Sequence, residues 1–403
     1  MTTGLLSAHL RMWFVAVSFA SIVLASSGCS NETDTTWSLR SEVMELPATQ
    51  QQAVRDFIGE VHGTYNDPRM RTISDEEEVA ESEDDEEDAD DELDDEDSDD
   101  DPGVAYKDLV DPLRLQHGRE VFNRYCVSCH GVTGDGQGPA AEYLYPPPRD
   151  YRPGVFKFTS TPDGIKPRRE DIRQVIYRGA KGTSMPAFRW LSDEDMEPLI
   201  DYVMLLSRRG ELELALLRLI EEEGYEPEDF EDEETLEEFL EMANDEVTTI
   251  HERWESATDD IVMPAVPMPP VSEETILSGQ ALFFDKQQGC YKCHGADGRG
   301  GIEDEDANLD AWGQPIIAAN LTTGMYHGGG RPIDLYRRIH SGISSRMPAF
   351  GNVFADDPEK IWHLVHFVQA FGEGREIDAQ ALTDDHEHSE EADPSDEADG
   401  DDE

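Results

Sequence analysis

Two short stretches decide how this sequence folds: Cys126-Val-Ser-Cys129-His130 and Cys290-Tyr-Lys-Cys293-His294. Both have the spacing CxxCH, and together they hold four of the five cysteines of the chain. On a helix, two intervening residues place the thiols about one turn apart, and the histidine follows directly. This pattern predicts two covalently bound c-type haems, each attached by two thioether bonds and ligated by its histidine. The attachment residues are then Cys126, Cys129, Cys290 and Cys293, and the iron ligands His130 and His294.

Two other uses of a CxxC pair have to be weighed. A zinc site usually places its second pair about 15–20 residues further on, and these two pairs are 164 residues apart. A thioredoxin-type dithiol belongs to a βαβ fold, whereas strand-type alternation is nearly absent near both motifs. The wide separation of the two pairs and the near absence of strand-type alternation therefore favour haem attachment over a zinc site or a thioredoxin-type dithiol.

The motifs are parts of a longer internal repeat. Gly118-Arg-Glu-Val-Phe precedes the first motif, and Gly279-Gln-Ala-Leu-Phe precedes the second. Each repeat also contains the sequence Met-Pro-Ala-Phe, which starts at Met185 and at Met347. Apolar periodicity predicts a helix before each motif and a closing helix after each Met-Pro-Ala-Phe. The predicted helices are Leu113 to Tyr125, Asp193 to Ser207, Glu274 to Lys286 and Pro358 to Phe371. The fold class predicted from this pattern is all-α.

Met185 and Met347 are the predicted ligands on the other side of each iron. They lie 55 and 53 residues beyond His130 and His294, and a proline follows each of them. That proline disfavours helical backbone at the methionine and restricts the loop. A thioether ligand favours Fe(II), so histidine–methionine ligation raises the reduction potential. In the second repeat, His327 or His340 are alternative ligands.

With these motifs the chain resembles bacterial dihaem class I cytochromes c, with two tandem domains. Its modules are also similar to those on the cytochrome subunits of cbb-type oxidases. The resemblance implies small helical domains with an exposed haem edge. It also implies that a proline carbonyl accepts a hydrogen bond from the Nδ1 of the ligating histidine. Pro139 matches that place in the first domain, and Pro315 is the weaker candidate in the second.

The composition divides the chain into seven segments. They are a lipoprotein-type signal (1–29), a polar and partly helical segment (30–73), a disordered acidic run (74–101), cytochrome c domain 1 (108–209), an acidic helical and Pro-rich linker (210–271), cytochrome c domain 2 (272–373) and a disordered acidic tail (374–403). The second domain has an acidic insertion, Glu303 to Asp310, after its motif. This insertion is the main difference between the two domains.

The N-terminus resembles an export signal. Arg11 precedes an apolar run from Met12 to Ala25, and Cys29 stands where a bacterial lipoprotein would be cleaved and lipidated. Position 26 carries Ser where such sites usually carry Leu, so an uncleaved anchor and an ordinary cleaved signal remain alternatives. All three predict an exported protein on the periplasmic side of a bacterial membrane, with a lipid at Cys29 as the favoured attachment.

The charge restricts the partners. The chain has 91 acidic and 32 basic residues, a formal net charge of −59. Nucleic acid is excluded as a main partner because binding phosphates requires many lysines and arginines. Redox proteins with basic docking patches are the expected partners. The sequence does not indicate an oligomeric state.

Other groups are expected around the haems. Arg149, Arg152, Lys157 and residues 166–173 form a basic stretch, which pairs either with haem propionates or with the acidic chain. The aromatic residues of both domains are expected to pack in the haem pockets, namely Tyr145, Tyr151, Phe156, Trp190, Trp312, Tyr326 and Trp362.

The predicted function is outer-sphere electron transfer between respiratory or dehydrogenase complexes, without substrate turnover. No substrate reaches an iron whose two axial positions are filled. One alternative is an electron-transfer subunit of a larger oxidase or dehydrogenase complex. The other is a dihaem peroxidase, which requires an open or displaceable iron position.

Overall fold

The computed structural model describes residues 36–74, 104–300, 309–310, 312–314, 317–343 and 347–376. All of them belong to one compact unit that begins at Thr36. The predicted signal with Cys29, the acidic run from residue 75 and the tail from residue 377 lie outside the described residues.

The described residues are mostly helical, which confirms the all-α prediction. The helices are α1 (Ser41–Met44), α2 (Ala48–His62), α3 (Pro112–Tyr125), α4 (Val127–His130), α5 (Arg169–Arg178), α6 (Asp193–Glu223), α7 (Glu233–Ser256), α8 (Glu273–Phe284), α9 (Cys290–His294), α10 (Pro332–Ser341) and α11 (Glu359–Gly372). Short 3₁₀ turns lie at Ala141–Tyr143, Pro227–Glu231 and Leu321–Thr323. Two strands, β1 (Arg71–Ile73) and β2 (Tyr106–Asp108), form one antiparallel pair. The sequence pattern did not predict this pair, which brings together the chain on either side of the acidic run.

A helix crossing built on glycine organises both domains. In domain 1, Gly118 of α3 lies against the backbone carbonyl of Pro198 in α6. In domain 2, Gly279 of α8 lies in the same way against the carbonyl of His363 in α11. A side chain at either glycine would overlap the carbonyl oxygen. The repeated glycine of the sequence is therefore the residue that lets the two helices approach closely.

An aromatic contact follows each glycine at the same spacing. The ring centroids of Phe122 and Tyr202 lie 5.4 Å apart in domain 1, and those of Phe283 and Phe367 lie 5.3 Å apart in domain 2. All four side chains are buried. The repeated Gly-x-x-x-Phe pattern thus places one helix contact and one aromatic pair directly before each CxxCH motif.

Helix α6 differs from its predicted form. The pattern predicted an end at Ser207, but the helix continues to Glu223 through buried Arg208, Arg209 and Gly210. The charges of this stretch are paired within the helix and with the N-terminal segment. Arg209 contacts Glu213 at 3.3 Å, and Glu213 also accepts the backbone N–H of Arg40.

The second half of α6 supports an accessory layer. Leu212, Leu216 and Ile220 are buried. They share one core with helix α2 and with α7, while domain 2 has a separate core. The N-terminal segment and the linker helices therefore enlarge domain 1.

Contacts between helices α5 and α10 and the loops beside them hold the two cytochrome domains together along a seam. Arg178 of domain 1 pairs with Asp334 of domain 2 at 3.1 Å. The ring of Phe158 packs on His327 with a centroid separation of 6.3 Å, and the Arg338 side chain donates to the carbonyl of Thr159. The seam combines ion pairs, ring packing and backbone hydrogen bonds.

In the parts of the chain that the structure describes, no helix is both long and apolar enough to cross a membrane.

Candidate metal centres

Both CxxCH motifs form short helices that follow a longer helix in the chain. Helix α3 ends at Tyr125, and the N–H groups of Cys129 and His130 donate to the carbonyl of Cys126 at 3.1 and 2.9 Å. The second motif forms α9, Cys290–His294. None of the four motif cysteines forms a disulfide with another described cysteine. The helical turn gives each pair of thiols the spacing expected for the two attachment bonds.

The loop after each motif folds back onto it. In domain 1, Gly136 donates to the carbonyl of His130 at 2.9 Å, and Gly138 donates to that of Cys129 at 3.1 Å. In domain 2, Gly300 donates to the carbonyl of His294 at 2.8 Å. Gly136 and Gly300 have φ values of 74° and 68°, which favour glycine. Hydrogen bonds from these loop glycines therefore fix the backbone carbonyl groups of both histidines.

The Nδ1 of each histidine faces a backbone carbonyl. In domain 2, His294 Nδ1 lies 3.1 Å from Ala319 O. In domain 1, the Nδ1 of His130 is buried without a hydrogen bond of ordinary geometry, and the backbone of Arg149 is the group that acts on it. The two acceptors are equivalent by position, because Gly136 packs on Pro148 and Arg149 as Gly300 packs on Ala318 and Ala319.

The predicted proline acceptors need revision. The Pro139 prediction is wrong, since Arg149 and not Pro139 provides the backbone group beside His130 Nδ1. Pro315 lies outside the described residues, and Ala319 fills the role in domain 2. The conformation of the loop, rather than a particular side chain, positions this carbonyl, so sequence could not identify it.

The surroundings of the two histidines favour their neutral form. Burial lowers the pKa of His130 and of His294, and the facing backbone groups offset this only in part. A neutral imidazole whose Nδ1 faces a carbonyl presents Nε2 as a metal ligand. The Tyr151 ring lies 5.4 Å from that of His130, and Phe283 lies 6.3 Å from His294. Each imidazole thus has an apolar wall on one side.

Burial raises the pKa of the first thiol of each motif. Burial, with a contribution from Cys129, raises the pKa of Cys126 to about 12. Burial likewise raises the pKa of Cys290 to about 11. A reactive dithiol contains a cysteine with a lowered pKa instead. Among the described residues, no three His, Cys, Asp or Glu side chains form a group that could hold a metal ion.

The residues present fit a c-type haem in each domain. The donor set is two thiols one helical turn apart and one neutral imidazole. In domain 1, the hydroxyl of Tyr151 is buried beside His130 and has no hydrogen-bond partner. A polar group in the adjoining pocket, such as a haem propionate, would satisfy it.

Met185 and Met347 have matching backbone settings. Ala180 donates to the carbonyl of Met185 at 3.3 Å, and Ile343 donates to that of Met347 at 3.1 Å. Both side chains are partly buried against the core of their own domain. The two loops therefore return to the preceding helix in the same way, and ligation by both methionines stays a prediction.

The competing histidines lie in other environments. His327 packs on Phe158 of domain 1 in the seam between the domains. His340 stacks on Tyr336, with ring centroids 5.7 Å apart, and its Nδ1 lies 3.1 Å from the hydroxyl of Ser341. These contacts give both histidines a packing role.

The basic stretch is paired with carboxylates. Lys166 contacts Glu211, Arg152 contacts Asp150 at 2.8 Å, and Arg149 contacts Asp310 at 2.6 Å. The other basic residues of the stretch, Lys157, Arg168, Arg169 and Arg173, also pair with acidic residues. These ion pairs indicate that the basic residues neutralise carboxylates of the chain rather than bind haem propionates.

Some of the predicted pocket aromatics lie elsewhere. Trp312 does not pack in its own domain's pocket, because its indole N–H donates to the carbonyl of Asp150 in domain 1. Tyr145 and Trp190 are 75% and 60% exposed. Tyr151 and Phe156 do stack beside His130. The partner of Trp312 is distant in sequence, and no local pattern indicated it.

Comparison with a family model agrees with the two-domain organisation. The family model described as cytochrome c oxidase, cbb3-type, subunit III matches residues 114–203 and 274–368. Each matched segment contains one CxxCH motif and one Met-Pro-Ala-Phe. A solved structure from the reducing HAO-like protein complex of Kuenenia stuttgartiensis is 27% identical, with a TM-score of 0.47, and the match covers 64% of this chain and 96% of the other. No curated protein sequence matches the chain.

Proposed function

We propose that this chain, an electron-transfer class I cytochrome c with two tandem domains, carries one haem on each domain and passes electrons between redox proteins outside the cytoplasm. The observation that carries the proposal is the repeated setting of Cys, Cys, His and Met. In both domains a loop glycine donates to the carbonyl of the motif histidine, and the methionine carbonyl accepts from a residue that follows the preceding helix.

Each residue of the set has its own task. Cys126 and Cys129, like Cys290 and Cys293, would attach the haem through its vinyl groups. The haem supplies a one-electron iron couple when bound. His130 and His294 would ligate the iron through Nε2, while the facing backbone groups orient the rings. Met185 and Met347 would fill the opposite position and raise the potential.

Filled axial positions favour a carrier over an enzyme. If histidine and methionine both ligated the iron, no ligand position would remain for a substrate, and the haem would supply electron transfer alone. The net charge of −59 supports redox partners with basic docking patches. The N-terminal pattern with Cys29 supports export and a lipid anchor on the periplasmic side.

A second candidate is an electron-transfer subunit of a larger complex. The matched family model, which is described as an oxidase subunit, favours it. Co-purification in mild detergent separates the two. A free carrier elutes alone, whereas a subunit elutes with the other chains of its complex.

The test of the first proposal is absorption spectroscopy of Met185→Ala and Met347→Ala variants. A pyridine haemochrome assay first counts the haems, and two per chain are expected. Each variant should then lose half of the methionine-to-iron charge-transfer band. Met325→Ala, which changes a half-exposed methionine of domain 2, is the control and should keep the whole band. A full band in both ligand variants would refute the axial assignment.

A further inference from the structure

The end of the acidic insertion carries a buried carboxylate that belongs to both domains. The Asp310 side chain is 2% exposed. Its Oδ1 accepts the N–H groups of Trp312 and Gln314, both at 3.0 Å. Its Oδ2 accepts from Arg149 at 2.6 Å and from Lys157 at 3.0 Å, and both of these lie in domain 1. One carboxylate thus closes its own turn and neutralises two cations of the other domain.

Trp312 reinforces this contact. Its ring lies 4.7 Å from the Arg149 guanidinium and 5.1 Å from the Lys157 ammonium group. Its indole N–H donates to the carbonyl of Asp150. Cation–π contacts and a hydrogen bond therefore act on the same loop that Asp310 holds. Burial alone would raise the pKa of Asp310. The backbone N–H groups of Gln314 and Trp312 and the Lys157 ammonium group hold that pKa below its usual value.

The clamped loop is also the loop that contacts the ligating histidine of domain 1. The backbone of Arg149 faces His130 Nδ1, and the Tyr151 ring lies 5.4 Å from the imidazole. In domain 2, the equivalent acceptor belongs to Ala319, which has no charged side chain. The residue that faces His130 Nδ1 therefore has a charged side chain that Asp310 binds, whereas the residue that faces His294 Nδ1 has none.

We propose that Asp310 and Trp312 of domain 2 are positioning residues that set the reduction potential of the haem in domain 1. They act through the loop at Arg149–Tyr151, in two ways. Asp310 cancels positive charge that would favour the reduced haem. The clamp also keeps the Arg149 carbonyl behind His130, where it makes the imidazole a stronger donor to the iron. Both effects lower the potential of the first haem, and the inference rests on the proposed attachment of a haem to domain 1.

The test is redox titration of the holoprotein with Asp310→Asn and Trp312→Phe. The two redox waves are assigned beforehand with the Met185→Ala and Met347→Ala variants. In Asp310→Asn, the ratio of reduced to oxidised first haem at a fixed solution potential should rise on the order of tenfold, the size expected for one unit charge removed from a partly buried site. Trp312→Phe keeps every charge and should move the same wave less, in the same direction. The second wave should stay in place.

Asp334→Asn is the matched control. It removes one carboxylate from the same seam, where Asp334 pairs with Arg178 and Arg331, but it leaves the 149–151 loop untouched. The first wave should stay in place. An unmoved first wave in Asp310→Asn, or an equal shift in Asp334→Asn, would overturn the proposal. Haem stoichiometry separates this from failure of the proposed function, because a first domain without haem would refute both.

Discussion

Gly279 of α8 packs against the backbone carbonyl of His363 in α11 with no room for a side chain between them. Gly118 makes the same contact with Pro198 in domain 1. These crossings place each CxxCH motif relative to the closing helix of its domain. The close helix contact before each CxxCH motif therefore depends on a residue without a side chain.

Gly279→Ala should destabilise the protein. The new methyl group would overlap a backbone oxygen, and overpacking of this kind costs roughly 1–3 kcal/mol. Chemical denaturation followed by circular dichroism measures the change in the free energy of unfolding. Gly59→Ala is the control, because Gly59 lies in helix α2 and a Cβ there would meet nothing within 4 Å. That variant should be neutral or more stable, since alanine favours helix. Equal effects of the two changes would contradict the crossing argument.

His62 should make stability depend on pH. Burial, with repulsion from Arg209 and Arg208, lowers the pKa of His62 to about 3, and its Nδ1 is buried without a partner. The unfolded chain takes up a proton near the ordinary histidine pKa of about 6.5, whereas the folded chain does not. Stability should therefore be full above pH 6.5 and fall as the pH drops towards 3.

Replacing this histidine isolates its contribution. His62→Gln should flatten the pH dependence by up to about 1.4 kcal/mol per pH unit within that window. Urea unfolding of both proteins at several pH values measures the difference. A variant with the same slope as the parent protein would show that His62 is protonated in the folded state.

Trp254 should contribute to the free energy of unfolding through its indole N–H group. The indole donates to Glu211 at 2.8 Å, and Glu211 also pairs with Lys166. Burial raises the pKa of Glu211, so this carboxylate depends on its donors. Trp254→Phe should cost about 1–3 kcal/mol of unfolding free energy. Trp190→Phe, at a 60% exposed site, should cost far less, and a similar loss would contradict the role of the hydrogen bond.

The acidic run should steer basic partners if its charge has a docking role. Removal of residues 75–101 takes away a dense group of carboxylates. Electron transfer to a basic redox protein should then be slower at low salt, and its rate should depend less on ionic strength. Stopped-flow kinetics over a range of salt concentrations measures both. An unchanged rate and salt slope would leave solubility as the role of the run.

Local patterns in the sequence predicted the helices well, and the haem-binding residues stay a prediction. The CxxCH spacing, Gly118 and Gly279 and the Met-Pro-Ala-Phe repeats each reflect contacts within one domain. The structure differs where a partner lies far along the chain. Helix α6 continues past Ser207 because its buried Arg209 pairs with Glu213, which also accepts the backbone N–H of the distant Arg40. Trp312 and Asp310 find their partners in the other domain, and periodicity cannot show such contacts.

The unbroken course of α6 determines how the protein can be divided. A fragment that ends at Arg209 would lose Glu213 and would expose Trp37, Val43 and the rest of the layer packed there. A fragment that starts near Ser272 would keep nearly the whole core of domain 2. The second domain is thus suited to separate expression, whereas the first has to be produced together with residues from both its flanks.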